Sequence, residues 1–190
     1  GKVELFPLGT FGKDGTTFEG DFVREQTPKL LLSGAFSQNN HAIHTQGQLG
    51  DELFANRTMR SVLVDAMLKY KGWAAMSAYM SRSTSEDAKT YNPANLNDIR
   101  YAYTGSGFDY QLSYLFPSQY ELTWRYSLQK VHEDIRQLTP HQKQYSIGVT
   151  KYFWEHTFKV QAEATLDRLD FYDGNSKDNF YLRFQVEMGI

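Results

Sequence analysis

Phe180-Tyr181-Leu182-Arg183-Phe184-Gln185-Val186-Glu187-Met188-Gly189-Ile190, the last eleven residues of the chain, alternate apolar and polar side chains without a fault. Successive side chains of a β-strand point to opposite faces. One face therefore carries Phe180, Leu182, Phe184, Val186, Met188 and Ile190, and the other Tyr181, Arg183, Gln185, Glu187 and Gly189. In water a bare hydrocarbon edge strand invites aggregation, whereas a barrel sunk in lipid requires an apolar outer face and a closed seam. A half-buried strand of a soluble sandwich or barrel carries the same pattern, so this segment alone leaves both readings open.

Repetition favours the barrel. Phe108, Tyr110, Leu112, Tyr114 and Phe116 alternate with Asp109, Gln111 and Ser113, and Tyr120, Leu122, Trp124, Tyr126 and Leu128 with Glu121, Thr123, Arg125, Ser127 and Gln129. Tyr145, Ile147, Val149 and Phe153 oppose Gln144, Ser146, Gly148 and Thr150, while Phe158, Val160, Ala162, Ala164 and Leu166 oppose Lys159, Gln161, Glu163 and Thr165. Val62, Val64, Ala66, Leu68 and Tyr70 oppose Asp65, Met67 and Lys69. Each run is about ten residues, the length at which a tilted strand crosses a bilayer.

Three connections are short and bracketed by rings: Tyr70-Lys71-Gly72-Trp73, Phe116-Pro117-Ser118-Gln119-Tyr120 and Phe153-Trp154-Glu155-His156-Thr157-Phe158. Amphipathic rings favour the headgroup layer, so these turns read as one interfacial girdle. The others, about 38–59, 83–107, 131–142 and 168–178, are long and polar. Short turns on one side and long loops on the other is the asymmetry of bacterial outer-membrane barrels, and places the long loops outside the cell.

The expected fold is all-β: an antiparallel transmembrane β-barrel, with residues 1–190 as a single barrel segment and no second domain. Eight strands are predicted from 28 onward, at about 28–38, 60–70, 73–82, 108–116, 119–129, 143–153, 157–167 and 179–190, and Lys2-Val3-Glu4-Leu5-Phe6 begins a ninth. Single-chain bacterial barrels usually have an even number of strands, so nine suggests strands upstream, although 28–190 would also suit a complete eight-stranded barrel. An outer-membrane protein is made with a leader, so this reading takes the chain as mature or truncated. There is no run long enough for a membrane helix, no cysteine for disulfides or thiolate metal sites, and a net charge of −2 that argues against a nucleic-acid partner.

Val3-Glu4-Leu5-Phe6-Pro7-Leu8-Gly9, Phe18-Glu19-Gly20-Asp21, Thr27-Pro28-Lys29-Leu30, Gly47-Gln48-Leu49-Gly50, Gln111-Leu112-Ser113-Tyr114-Leu115-Phe116, Gly148-Val149-Thr150-Lys151-Tyr152 and Arg183-Phe184-Gln185-Val186 together resemble the phosphate-selective porin O and P family in its Bacteroidota form. The likeness runs over nearly the whole chain and onto the C-terminal half of such a porin. It implies a parent barrel of about sixteen strands, commonly a homotrimer or a member of a larger envelope complex. That barrel would sit in outer-membrane lipid and lipopolysaccharide and pass small polar or anionic solutes, phosphate among them. It also implies that residues 7–27 form an unusually long periplasmic connection.

Strand parity turns Lys69, Arg125, Lys159 and Arg183 inward together with Asp65, Asp109, Glu121, Glu163 and Glu187. Anion selectivity calls for rings of Arg or Lys, and this wall is mixed. The expectation is a weakly selective pore lining in which Arg125, Lys159 and Arg183 meet anions and Glu121, Glu163 and Glu187 meet cations. Lys159 opposite Glu187 and Glu163 opposite Arg183 belong to one antiparallel register. It also opposes Phe158 to Met188, Val160 to Val186 and Ala162 to Phe184, and centres the loop on Asp173-Gly174. Lys130 and Lys151 fall on the lipid parity near strand ends, where snorkelling to headgroups keeps their charge wet.

No catalytic residue, cofactor or metal site is expected. His41-Ala42-Ile43-His44 lacks a third ligand, and Asp167, Asp170, Asp173 and Asp178 lack calcium-loop spacing. Rival readings are a lipid-modifying enzyme, a soluble lipocalin-like binder and a closed small barrel with a structural or adhesive role. For the enzyme, Ser127 and Ser146 have no histidine at matching depth, with His132, His141 and His156 assigned to turns or loops.

Overall fold

The structure is a computed structural model that describes residues 1–13, 15–154 and 157–189. The turn residues Glu155 and His156, and Ile190 at the end of the alternating stretch, lie outside the described residues. The chain is all-β, with no α-helix among the described residues. Its strands are β1 (Lys2–Leu5), β2 (Lys29–His44), β3 (Glu52–Tyr70), β4 (Trp73–Thr84), β5 (Lys89–Asn92), β6 (Asn95–Tyr101), β7 (Gly105–Leu115), β8 (Tyr120–Val131), β9 (His141–Trp154), β10 (Phe158–Asp170) and β11 (Ser176–Met188). Nine of them form one antiparallel sheet in the order β1-β2-β3-β4-β7-β8-β9-β10-β11, while β5 and β6 pair separately as a hairpin. The sheet is open: β1 and β11 are its two edges.

Turn chemistry fixes the short connections. Lys71 and Gly72 both have positive φ (49° and 93°), the backbone that matches strand twist in a two-residue hairpin loop. Between β7 and β8 the Phe116 N–H donates to the Tyr120 carbonyl at 2.8 Å and Gln119 adopts φ 62°. Rings crowd this end: Trp73 against Tyr114 (centroids 4.7 Å apart), Tyr114 against Phe116 (4.8 Å) and Phe153 stacked on Phe158 (5.0 Å). A second aromatic band, not singled out from the sequence, crosses the same face higher up. Tyr110 packs on Trp124 (5.8 Å) and Tyr126 on Tyr145 (5.0 Å), below the charged ends of β8 to β10.

The register expected for the last hairpin is the one observed. Lys159 pairs with Glu187, Glu163 with Arg183, Phe158 with Met188, Val160 with Val186 and Ala162 with Phe184, and the pairing continues to Asp170 and Ser176 around a five-residue loop, 171–175.

The long connections differ from expectation. Most of 38–59 is strand, because β2 and β3 run on together to His44 and from Glu52. The Asn39/Ala42 irregularity, with His41 at φ 55°, breaks the alternation that would have signalled them. Within 83–107, β5 and β6 fold back onto the end of β3. Arg57 donates to the carbonyls of Asp87 (2.6 Å) and Lys89 (2.8 Å), Phe54 N–H donates to Thr90 (3.2 Å), and Ala42, Leu53, Met59 and Ala102 form a small core. His141 is the first residue of β9 rather than a loop residue, and its Nδ1 accepts from the Val131 N–H at 3.1 Å.

Exposure is inverted relative to a water-soluble sheet. On the apolar face Val64 is 54% exposed, Ile147 54%, Phe184 72% and Leu182 74%. On the polar face Thr165 is 1% exposed, Ser113 2% and Thr150 5%. A sheet that curls toward its polar side crowds that side and spreads the other. A cavity of about 340 Å³ lies in the hollow, lined by residues of β7 to β11 and by residues 17–20 of the β1–β2 connection.

Candidate functional site

The hollow face is built from the polar parity of each strand, and all nine charged residues singled out from the sequence lie on it. Most are paired. Arg125 Nε donates to Asp109 Oδ2 at 2.9 Å, and the same oxygen accepts from the Ser127 hydroxyl at 2.5 Å. Lys159 Nζ lies 3.1 Å from Glu187 Oε2, and Arg183 Nη1 lies 3.7 Å from Glu163 Oε1, whose carboxylate also accepts from Thr165 at 3.1 Å. Asp65 accepts from the Ser33 hydroxyl at 2.5 Å. Lys159 and Glu187, Glu163 and Arg183, and Ser33 and Asp65 stand directly opposite one another, while Arg125 and Asp109 meet on the diagonal, so the pairs tie strand to strand across the wall.

Lys69 and Glu121 behave differently from the other seven. Both are buried, Lys69 to 1% exposure, under the connection that runs from β1 to β2. The Lys69 ammonium donates to the Phe18 and Gly20 carbonyls at 2.6 and 2.7 Å, while Glu121 accepts from the Tyr152 hydroxyl at 2.5 Å. The sequence reading put these two on the right face but left them facing open water. Glu19, Asp21, Arg24, Glu25 and Tyr152 belong to the site and were not found from the sequence. An irregular segment has no periodicity to betray where it docks, and only the position of Lys69 two residues before a tight turn pointed toward it.

The wall is not uniformly polar. β4 turns Ala74, Met76, Ala78, Met80 and Arg82 toward the hollow, opposite Ser113, Gln111, Asp109, Gly107 and Gly105 of β7. With Leu31, Leu63 and Met67 these set apolar patches among Ser33, Ser61, Asp65 and Lys69 in the β2–β4 sector, and the ionic pairs concentrate from β7 to β11. That sector offers amides, hydroxyls and mutually neutralised charges.

Of the rejected candidates, His44 Nδ1 lies 3.1 Å from the Gly50 carbonyl and His41 occupies the β2 irregularity. Ser127 is bonded to Asp109, and Ser146 to Thr165 at 2.6 Å. Lys151 reaches back to the short-turn end, where its ammonium donates to the Ser118 carbonyl at 2.7 Å and lies 4.2 Å from the centre of the Tyr120 ring. In the loop 171–175 the Asn175 backbone N–H, followed by its side-chain amide, holds the Asp173 carboxyl below the usual carboxylate range.

Fold and site together define an all-β protein whose single large antiparallel sheet is apolar and exposed on one face, polar and sheltered on the other. The chain matches no protein-family model, no curated protein and no solved structure.

Proposed function

We propose that this sheet is a wall of a transmembrane β-barrel in the bacterial outer membrane, and that the barrel works as a porin: a water-filled channel for passive diffusion of small polar or ionic solutes. The inverted exposure carries the reading. Residues such as Leu182 and Phe184 project into the surroundings while threonine, serine and ion pairs line the hollow. Lipid removes the penalty on the first set and internal water solvates the second. Two aromatic bands separated by aliphatic residues support the same orientation, with the short turns at the periplasmic side.

Because most charges on the wall are paired across strands, no basic ladder is left among the described residues to hold an anion. The wall therefore favours weak selectivity, and phosphate, suggested by the family resemblance, enters as one small polar solute among others. Reconstitution into planar lipid bilayers tests the proposal. Stepwise conductance that changes modestly between potassium chloride and potassium phosphate is the expected result, and folded, membrane-inserted protein that passes no current would refute it.

A further inference from the structure

The connection from β1 to β2 is fastened across the hollow at the short-turn end. Asp21, fully buried, accepts from the Gly72 N–H of the β3–β4 turn at 2.7 Å and from the Glu25 N–H at 3.0 Å. Arg24 donates to the Leu115 and Lys71 carbonyls at 2.5 and 3.1 Å, and Gln111 of β7 donates to Glu19 at 2.9 Å. The rings of Phe22 and Tyr152 meet edge-on, 5.4 Å apart. Gly20 lies so close to β8 that a Cβ there would stand 2.6 Å from the Glu121 carboxylate. Contacts reach from β3 to β9, four inter-strand steps or about 19 Å of wall.

Besides packing Phe22 on Tyr152, the docking covers Lys69, Gln111 and Glu121, which water solvates without penalty, and covering them requires that every one be re-bonded. Lys69 meets that requirement with two backbone carbonyls, and the carboxylates of Asp21, Glu121, Glu25 and Glu19 surround its charge. We propose that residues 15–26 form the size-limiting constriction of the channel and that Lys69 is the positioning residue that holds them in the hollow. The inference rests on the porin reading above.

The test compares the full chain with a variant in which residues 12–24 are replaced by a glycine-serine segment of equal length, and with Lys69→Met. Unit conductance and the largest neutral polyethylene glycol admitted are read in planar bilayers. Replacement should raise conductance about twofold or more and admit larger polymers, with Lys69→Met moving the same way. A conducting wild type whose conductance and polymer cut-off are unchanged by both variants overturns the constriction and leaves the channel standing. A wild type that passes no current refutes the channel reading, and the size-limiting role falls with it even if the replaced chain conducts. If no form conducts, the channel reading falls and the constriction with it. A second measurement does not depend on the replacement folding. The chain has no cysteine, so Glu19→Cys with Gln111→Cys in membrane-inserted protein should be bridged by a bifunctional thiol reagent. Lys69→Met should slow that bridging severalfold, and a pair that does not bridge at all refutes the docking.

Discussion

Replacing Phe184 by arginine puts a charge where the proposed barrel tolerates it least. Phe184 lies midway between Phe180 and Met188 on the exposed face of β11, four residues from each. Four residues of strand span about 13 Å, or about 10 Å along the membrane normal at a tilt near 40°. The apolar band of such barrels is about 25 Å tall, so Phe184 sits near its centre, where an arginine costs about 2–4 kcal/mol. The lower figure already changes the folded-to-unfolded ratio about 30-fold. Equilibrium denaturant unfolding in lipid vesicles, followed by fluorescence of the three tryptophans, measures the cost. Gln185→Arg, one residue away on the opposite face, is the control and should change stability by less than about 0.5 kcal/mol. Equal costs for the two arginines, or a larger one at Gln185, would refute the assignment of faces.

Three further outcomes are expected. Gly72→Ala should destabilise by about 1–2 kcal/mol from the left-handed backbone alone, and more because the new Cβ would stand 2.7 Å from the Leu115 carbonyl oxygen; Gly148→Ala, where a Cβ meets only ordinary contacts, should leave the denaturation midpoint nearly unchanged. Arg125→Glu with Arg183→Glu should move the reversal potential toward cations, since each change also leaves Asp109 or Glu163 without its partner; an unchanged potential removes both from the conduction path. Carboxyl NMR titration should find Asp173 below its ordinary value of 3.8, moving back toward it in Asn175→Ala. Because the folded form is the better acid, this contribution to loop stability is present above about pH 4 and disappears as pH falls through the depressed value.

Legibility in the sequence followed the apolar face. Wherever a strand runs through the exposed apolar band, as β7 to β11 do, hydrocarbon or aromatic residues recur at every second position, so parity assigned the faces, and charge pairing with turn chemistry added the last register. Where β2 and β3 extend past the band, as at Gln38-Asn39-Asn40 and Glu52, both faces are polar and the period-2 signal vanishes although the pairing continues. The hairpin of β5 and β6 was hidden for the same reason. The charged residues of the site were found because they sit on regular strands. Glu19 and Asp21 were missed because their place is set by contacts with residues about 50 to 100 positions away, beyond the reach of any local pattern.

The two ion pairs of the final hairpin have a consequence for assembly. A slip of two residues between β10 and β11 would leave the greasy side satisfied, since one hydrocarbon residue merely replaces another. The opposite side would detect the fault at once, because Lys159 would face Gln185 or Gly189 and Arg183 would face Gln161 or Thr165, so both attractions would be lost together. In the proposed barrel, lipid would set which way the strands face, and the charges would proofread how far along they sit.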